Sequence, residues 1–348
     1  MSKILLIGDN HHGANGNSKR LMRQAEHFYK SFLVNVIKHY NIEFCVDLGD
    51  FFDDREKVDI EVLSHVRNVI LKDLPVKWYF TVGNHNLYYK NSDHVNNLTE
   101  TIGDINNVIV IDNPTTITTT TGESIDIYPW ISNSNKDKVI EKINTTSSKY
   151  AMGHFEFSGF QFDKSRVADV REKVAASSFN KYDIVFSGHY HIASRKGNIV
   201  YVGTPYQLTW IDCNVEKSVI VLDTATGEII PVVYNEDLYH IYDLPIDGNI
   251  ENWSKEMFFD KRVKVVYDVN IAKDVLNNVQ AILKQYEADQ LTFVPKGVKK
   301  NENRVQVSVK NGINESISEY IKFMPIEEKD KVVLEKYLLK LYNEVNKE

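Results

Sequence analysis

Long apolar runs are absent from these 348 residues. None approaches the roughly 20 residues that a membrane-spanning helix needs, and the opening MSKILLIGDN lacks the pattern of a signal peptide. Cysteine is scarce: Cys45 and Cys213 form neither a metal-type nor a disulfide-type pattern. Cys45 lies inside an apolar stretch, where a reduced, packed thiol is expected. These absences point to a reducing cytoplasm. An excess of positive charge is missing as well. With 41 Lys and Arg against 48 Asp and Glu, the net charge is −7, which argues against gripping nucleic acid through the overall field. There is no internal repeat and no low-complexity tract. What remains, 43% hydrophobic and 26% charged residues, belongs to a globular chain long enough for two or three domains.

Over the first two thirds, strands alternate with helices. Residues 3–7, 44–48 and 76–82 read as strands. Between the first two, Leu21, Ala25, Phe28, Phe32, Val36 and Tyr40 recur at helical spacing behind a candidate cap at Ser18. Residues 60–71 read as the next helix, and this rhythm predicts a mainly parallel sheet covered by helices. Residues 117–121 and 124–128 flank Gly122-Glu123 as a hairpin. Further strands are expected at 150–152, 183–186, 199–202, 218–223 and 229–233. So many strands favour two stacked sheets flanked by helices, an α/β sandwich. From about Asn235 the texture changes: 261–269, 271–286 and 290–294 read as strand, helix, strand. Residues 296–304 read as a polar loop, and 314–348 as two amphipathic helices broken at Met324-Pro325. The first carries Ile317, Tyr320, Ile321 and Met324, the second Leu334, Tyr337, Leu338, Leu341, Tyr342 and Val345. Three domains are expected: 1–235, a small α/β cap at 236–310, and a helical pair at 311–348.

The chemistry gathers at strand ends. Residues 184–191, IVFSGHYH, run from an apolar strand through a glycine into two histidines that an extended backbone sends to one side. Four other strands end alike: Gly8-Asp9-Asn10-His11, Gly49-Asp50-Phe51-Phe52-Asp53, Gly83-Asn84-His85 and Gly153-His154. In a parallel α/β sheet the carboxyl ends of strands share one edge, where sites collect, and glycine lets the backbone turn and approach an ion closely. The set assembled there is Asp9, His11, Asp50, Asn84, His154, His189 and His191. Mixed nitrogen and oxygen donors suit a pair of divalent ions, manganese, iron or zinc rather than calcium. Asp50 is the natural bridge between ions about 3.5–4 Å apart. His27, His39 and His65 fall on expected helices, His94 and His240 fall outside the pattern, and His12 sits beside a ligand, pointing away.

The order D-x-H, G-D-x-x-D, G-N-H, G-H, G-H-x-H resembles the calcineurin-like metallophosphoesterase superfamily over residues 1–235. GDFFDDREK, VGNHNLYYK and YVGTPYQLTW are most similar to the nuclease subunit of the SbcCD type, and within it to the recombination endonuclease subunits of T-even bacteriophages. The resemblance implies a two-sheet sandwich holding two divalent metals, manganese first, with magnesium, iron or zinc as alternatives. One metal would be held by Asp9, His11, Asp50 and His191, the other by Asp50, Asn84, His154 and His189. His85 would sit beside the scissile phosphate, and Asp53 would support His85 or the metal shell. The family continues its third motif with an acidic residue where Asn86 stands, which bears on how His85 is oriented and charged. The implied activity is a DNA 3′–5′ exonuclease and structure-dependent endonuclease, a homodimer within a heterotetramer with an SMC-like ABC ATPase. That ATPase would bind the C-terminal helices. The compartment implied is the cytoplasm, the host's if the chain is viral.

Lys19, Arg20, Arg55, Lys57, Lys90, Lys164, Arg166, Arg195 and Lys196 follow the motifs. Arg20, Arg55, Lys90 and Arg195 are the candidate phosphate contacts, and Tyr88, Tyr89 and Tyr190 the candidate base-stacking rings. Two other readings stand beside the nuclease. One is a phosphoprotein phosphatase or small-molecule phosphodiesterase, faintly echoed by Asp53-Asp54-Arg55, although Glu56 follows where glycine is expected. The other is a non-catalytic scaffold that tethers DNA.

Overall fold

Apolar runs bounded by glycine or aspartate become strands, and those buried on both faces show no polar alternation. The computed structural model describes residues 2–161, 166–296, 321 and 328–345. Strands β1 (Lys3–Ile7), β2 (Phe44–Asp47), β3 (Lys77–Thr81) and β4 (Val108–Ile111) pair in parallel; β11 (Ser218–Asp223) joins β1 antiparallel and carries β12 (Glu228–Val233). The first sheet therefore has the order β12-β11-β1-β2-β3-β4. The second contains β5 (Thr115–Thr118), β6 (Ser124–Tyr128), β7 (Tyr150–His154), β8 (Ile184–Gly188), β9 (Ser194–Lys196) and β10 (Ile199–Tyr201), in the order β5-β6-β7-β8-β10-β9. Strands β6, β7, β8 and β10 run in parallel.

The two sheets face each other across one apolar layer. Ile4, Leu6, Phe44 and Val46 of the first meet Ile125, Ile127, Met152, Phe186 and Val200 of the second. On the outer face of the first sheet, Leu5, Cys45, Trp78 and Phe80 pack with Ala25, Phe28, Leu33 and Val66. Those partners come from helices. Helix α1 (Lys19–His27), capped by Ser18 Oγ on the Leu21 amide, runs through a π-helical turn (Phe28–Leu33) into Val34–Tyr40. Helix α2 (Ile60–His65), capped by Asp59, continues into a second π turn (Val66–Ile70). The outer face of the second sheet packs on α3 (Lys136–Thr145) through Val139 and Ile143. Mixed α/β layering with two sheets between helices is the sandwich expected from the sequence.

A third sheet, β13-β14-β15 (Tyr239–Asp243, Arg262–Tyr267, Gln290–Pro295), is covered by α4 (Lys273–Gln285). Its own core contains Leu244, Phe258, Val263, Val265, Val279 and Leu283. The chain divides into two compact units, Met1–Val294 and Pro295–Glu348, so this small sheet falls in the same unit as the two large ones. In the second unit, α5 (Glu328–Val345) exposes Val333 and Tyr337. Among the described residues, no helix is long and apolar enough to cross a membrane.

Several expectations need correction. The hairpin begins at Thr115 and pairs Thr118 with Ser124, three residues short of the expected strand end. Strands β4, β9 and β13 were not anticipated. The polar loop after 296 (from residue 297), the first tail helix with Ile317, Tyr320 and Met324, the break at Pro325, and Lys164 lie outside the described residues.

Candidate metal centre

The parallel strands of both sheets deliver their carboxyl ends to one place. Asp9 and His11 follow β1, Asp50 and Asp53 follow β2, and Asn84 and His85 follow β3, while His154 closes β7 and His189 and His191 follow β8. Backbone pairing continues past the strands: the amides of Asp9, His11 and His12 donate to the carbonyls of Gly49, Asp50 and Phe51 at 2.8–3.0 Å. Close approach is what the preceding glycines supply. A Cβ at Gly188 would lie 2.7 Å from the Leu48 carbonyl oxygen of the facing sheet. Of the five motif glycines only Gly49 has a left-handed backbone, at φ 105°. The unusual turn sits on the ligands themselves: Asp9 (φ 55°), His11 (47°), Asp50 (53°) and His189 (92°). Each such residue costs on the order of 1–2 kcal/mol, least for aspartate, and strain of this kind persists where the surroundings hold a functional geometry.

Three groups of ligand atoms result among the described residues, two made of the expected donors and a third of His11, Asp53 and His85. Asp9, His11 and His191 offer ligand atoms within 4.8 Å of one another, and so do Asp50, His154 and His189. In the first, His11 Nε2 faces His191 Nε2 at 3.1 Å. In the second, His154 Nε2 and His189 Nδ1 converge on Asn84 Oδ1 at 2.9 and 3.0 Å. The Asp50 carboxylate lies between the clusters, 3.2 Å from His154 and 3.9 Å from His11. Neighbours fix the ring orientations. His154 Nδ1 donates to the Leu48 carbonyl at 2.8 Å, His11 Nδ1 lies 3.0 Å from the Asp53 carboxylate, and His189 Nε2 lies 3.6 Å from Glu156. A partner on the outward nitrogen, with the inward one aimed at the centre, is how ligating imidazoles are held. Each cluster, all nitrogen and oxygen without thiolate, can hold a divalent cation.

The electrostatics follow from burial and crowding. Burial would push His154 down, but the Asp50 and Asp9 carboxylates hold it up to about 9. Burial alone would raise Asp50, yet the charge of His154 keeps it far below the ordinary carboxylate range. Asp9 is pushed up, by burial first. His191 is pushed down to about 3 by burial and by His11. His11 is raised: burial opposes its charge, and the Asp53 carboxylate outweighs that. These opposed shifts belong to a nest of donors that lacks enough positive charge of its own.

His85 stands at the rim, its ring 5.0 Å from that of His11, with its amide donating to Asp50 Oδ1 at 2.8 Å. Its Nδ1 bonds the backbone carbonyl of Asp53, leaving Nε2 to face outward chemistry. Asn86 does not orient this ring. Its buried Oδ1 accepts from the amides of Gly83 (2.8 Å) and Asp50 (3.0 Å), and Nδ2 donates to Asn97. A neutral side chain there braces the turns of two motifs, and the role weighed for an acidic residue at this position falls to the Asp53 backbone instead.

The remaining expectations divide. Arg20 is committed to Asp260: its Nε donates to the Asp260 carbonyl at 2.7 Å and lies 3.0 Å from the carboxylate, with the side chain 15% exposed. That arrangement makes it a strut to the small sheet. Arg55 is half-buried, while Lys90 and Arg195 are exposed. Tyr88 and Tyr89 are exposed, their rings edge to face at 4.8 Å. Tyr190 is not available for stacking: it is 1% exposed, in the outer core of the second sheet, with its hydroxyl donating to the Phe157 carbonyl. His12 is buried against Phe51 and Tyr29, turned from the centre. Sequence reasoning missed Glu156 and Trp130. Trp130 packs on the rings of His154 and His189 at 5.8 and 5.2 Å, beneath Lys173. Glu156 had a signal, since it lies two residues after His154. Trp130, at the end of β6, had none.

The calcineurin-like phosphoesterase model matches residues 2–193. The chain belongs to the calcineurin-like phosphoesterases. That family uses a dinuclear metal centre, and the clustered histidines and aspartates of this phosphoesterase lie within its matched span. Exonuclease subunit 1 of Enterobacteria phage T4 is 29% identical over 351 residues, 98% of this chain and 99% of that protein. Among solved structures, a novel archaeal phosphodiesterase aligns with TM-score 0.34 at 17% identity, over 67% of this chain and 99% of its own. A dimetal phosphatase from Danio rerio aligns with TM-score 0.41 at 9% identity, over 63% and 91%.

Proposed function

We propose that this phosphoesterase is a two-metal DNA nuclease subunit, a 3′–5′ exonuclease and structure-dependent endonuclease acting in DNA end processing, recombination and repair. The observation that carries the reading is the pair of ligand clusters with the Asp50 carboxylate between them, within a chain alignable over 98% of its length with a phage exonuclease subunit. Asp9, His11, Asp50 and His191 would hold one cation, and Asp50, Asn84, His154 and His189 the other; the donor set suits manganese, iron or zinc, and the family likeness puts manganese first. Two such ions supply an activated water and offset charge developing on the phosphoryl oxygens. The protein's own part is to orient and to handle protons. Asp53 holds His11, and the Asp53 carbonyl holds His85 Nδ1, so His85 presents Nε2 as hydrogen-bond partner for the departing oxygen. Arg55, Lys90 and Arg195 grip backbone phosphates, and Tyr88 and Tyr89 receive unpaired bases.

The nuclease region spans 1–235, with a small α/β cap at 236–310 and a partner-binding tail at 311–348. Val333 and Tyr337, exposed four residues apart on α5, suit a helix-in-groove contact with an SMC-like ATPase, in a heterotetramer working in the cytoplasm, the host's if the chain is viral. The deciding experiment is metal analysis joined to a manganese-dependent nuclease assay, with and without His189→Ala. Two bound ions, DNA cleavage, and loss of both an ion and cleavage in the variant are expected. Phosphate release from a phosphopeptide with DNA left intact would instead favour a phosphatase. Loss of one ion or both from the unaltered chain, with neither activity, would favour a DNA-tethering scaffold with a vestigial site.

A further inference from the structure

Residues 203–210, GTPYQLTW, lie outside both ligand clusters but touch what surrounds them. On the inner side, Gly203 (φ 75°) passes so close to the His191 carbonyl that a Cβ there would lie 3.1 Å from its oxygen. The Thr204 amide donates to that same carbonyl at 3.2 Å. The Tyr206 hydroxyl donates to the carbonyl of Asn10, the residue between Asp9 and His11, at 3.1 Å. On the outer side, Gln207 Oε1 accepts from the amides of Leu238 and Tyr239 at 2.9 and 2.7 Å, where β13 of the small sheet begins. The Leu208 carbonyl accepts from the Tyr239 hydroxyl at 2.7 Å.

Between the two sides sits a buried ion pair. Lys217 Nζ donates to Asp212 Oδ1 (2.6 Å), to Thr204 Oγ1 (2.6 Å) and to the His191 carbonyl (3.1 Å). Asp212 Oδ2 in turn accepts from the amides of Leu208 (3.0 Å) and Thr209 (2.8 Å). Both side chains are 2% exposed. All three ammonium protons are used. Well-packed apolar residues generally replace a buried ion pair without loss of stability, so stability does not account for this one.

We propose that Lys217 is a positioning residue: with Asp212 and Gln207 it holds the His191 backbone, and so the Asp9/His11/His191 cradle, in register with the small sheet. This rests on reading that cluster as an ion cradle. Lys217 touches neither ion nor substrate; it acts through the His191 carbonyl.

The test is Mn2+ binding followed by electron paramagnetic resonance, alongside thermal denaturation, on the full chain. Wild type is expected to bind two ions with a spin-coupled spectrum. Lys217→Met should weaken one ion by about 10- to 100-fold, the usual effect of losing support behind a ligand, and give the spectrum of an isolated ion. Lys217→Met/Asp212→Leu leaves no buried charge unpaired; it should regain the melting temperature without regaining the second ion. Gln207→Ala, which removes the bonds to Leu238, Tyr239, Asp237 and the Asp212 carbonyl but leaves the Lys217 ammonium fully paired, should weaken the same ion, and it decides the matter if neither lysine variant folds. A folded double variant with both ions bound as in wild type overturns the proposal, as does unchanged binding in Gln207→Ala. Wild type that binds two ions yet leaves DNA intact sinks the nuclease reading alone. Wild type that binds fewer than two ions sinks both.

Discussion

At the scale of single residues, the site works by giving each side chain one job and a neighbour that enforces it. His85 lies beside the clusters but is not needed to close either one, and its Nδ1 is already occupied. His85→Ala is therefore expected to keep two ions and lose about 10²- to 10⁴-fold in turnover, the usual share of general acid–base catalysis; metal analysis beside a nuclease assay checks it. His154 sets a pH dependence. Its imidazole ordinarily titrates near 6.5, and in the metal-free protein the Asp50 carboxylate, working against burial, raises it to about 9. A raised value means that the charged ring stabilises the fold below pH 6.5, and that this contribution is lost as pH climbs through about 9. The metal-free melting temperature should fall across that window. Affinity for Mn2+ should rise across the same window, because the ring must release its proton to bind. Titrations at pH 6.5, 7.5 and 8.5 would read both, and an affinity that stayed flat would contradict the assigned pairing.

At the scale of elements, strand ends do most of the assembly. Gly49 combines a left-handed backbone with a contact that no side chain tolerates, since a Cβ would lie 2.5 Å from His154 Nδ1. Gly49→Ala should cost about 1–3 kcal/mol through the backbone alone and displace His154 as well. Denaturant unfolding and Mn2+ titration should both register it, with the ion between Asp50 and His189 lost first. The glycine-ligand endings were legible because each pairs an apolar run with an abrupt change of residue type, and the structure brings the seven side chains they name to one place. What they could not reveal is which residue carries the unusual turn, because φ is set by the neighbouring sheet. Strand β9, Ser-Arg-Lys, has no apolar signature and exists only because β10 offers it an edge. Lys217 and Asp212 look like surface charges in the sequence; only the closure of the 203–213 segment over them makes them interior. Arg20 was misjudged for a related reason: its partner, Asp260, is 240 residues away.

At the scale of the molecule, the proposed nuclease reading requires an acidic chain to gather DNA with local charge. Lys90, past the β3 motif, and Arg195, on the edge strand β9, are exposed, and each phosphate contact contributes about one unit to the salt dependence of binding. The double variant Lys90→Ala/Arg195→Ala should weaken binding uniformly across sequences and reduce the slope of log affinity against log salt by about two. An unchanged slope would remove these side chains from the interface. A final consequence comes from the facing sheets. Each ligand cluster takes side chains from both: Asp9 and His11 against His191, Asp50 against His154 and His189. The apolar layer that sets the spacing and slip of the two sheets is thus also the ruler for the chemistry. A sliding displacement of about an ångström, too small to unfold anything, would open both clusters at once, and activity would vanish on warming before the structure did.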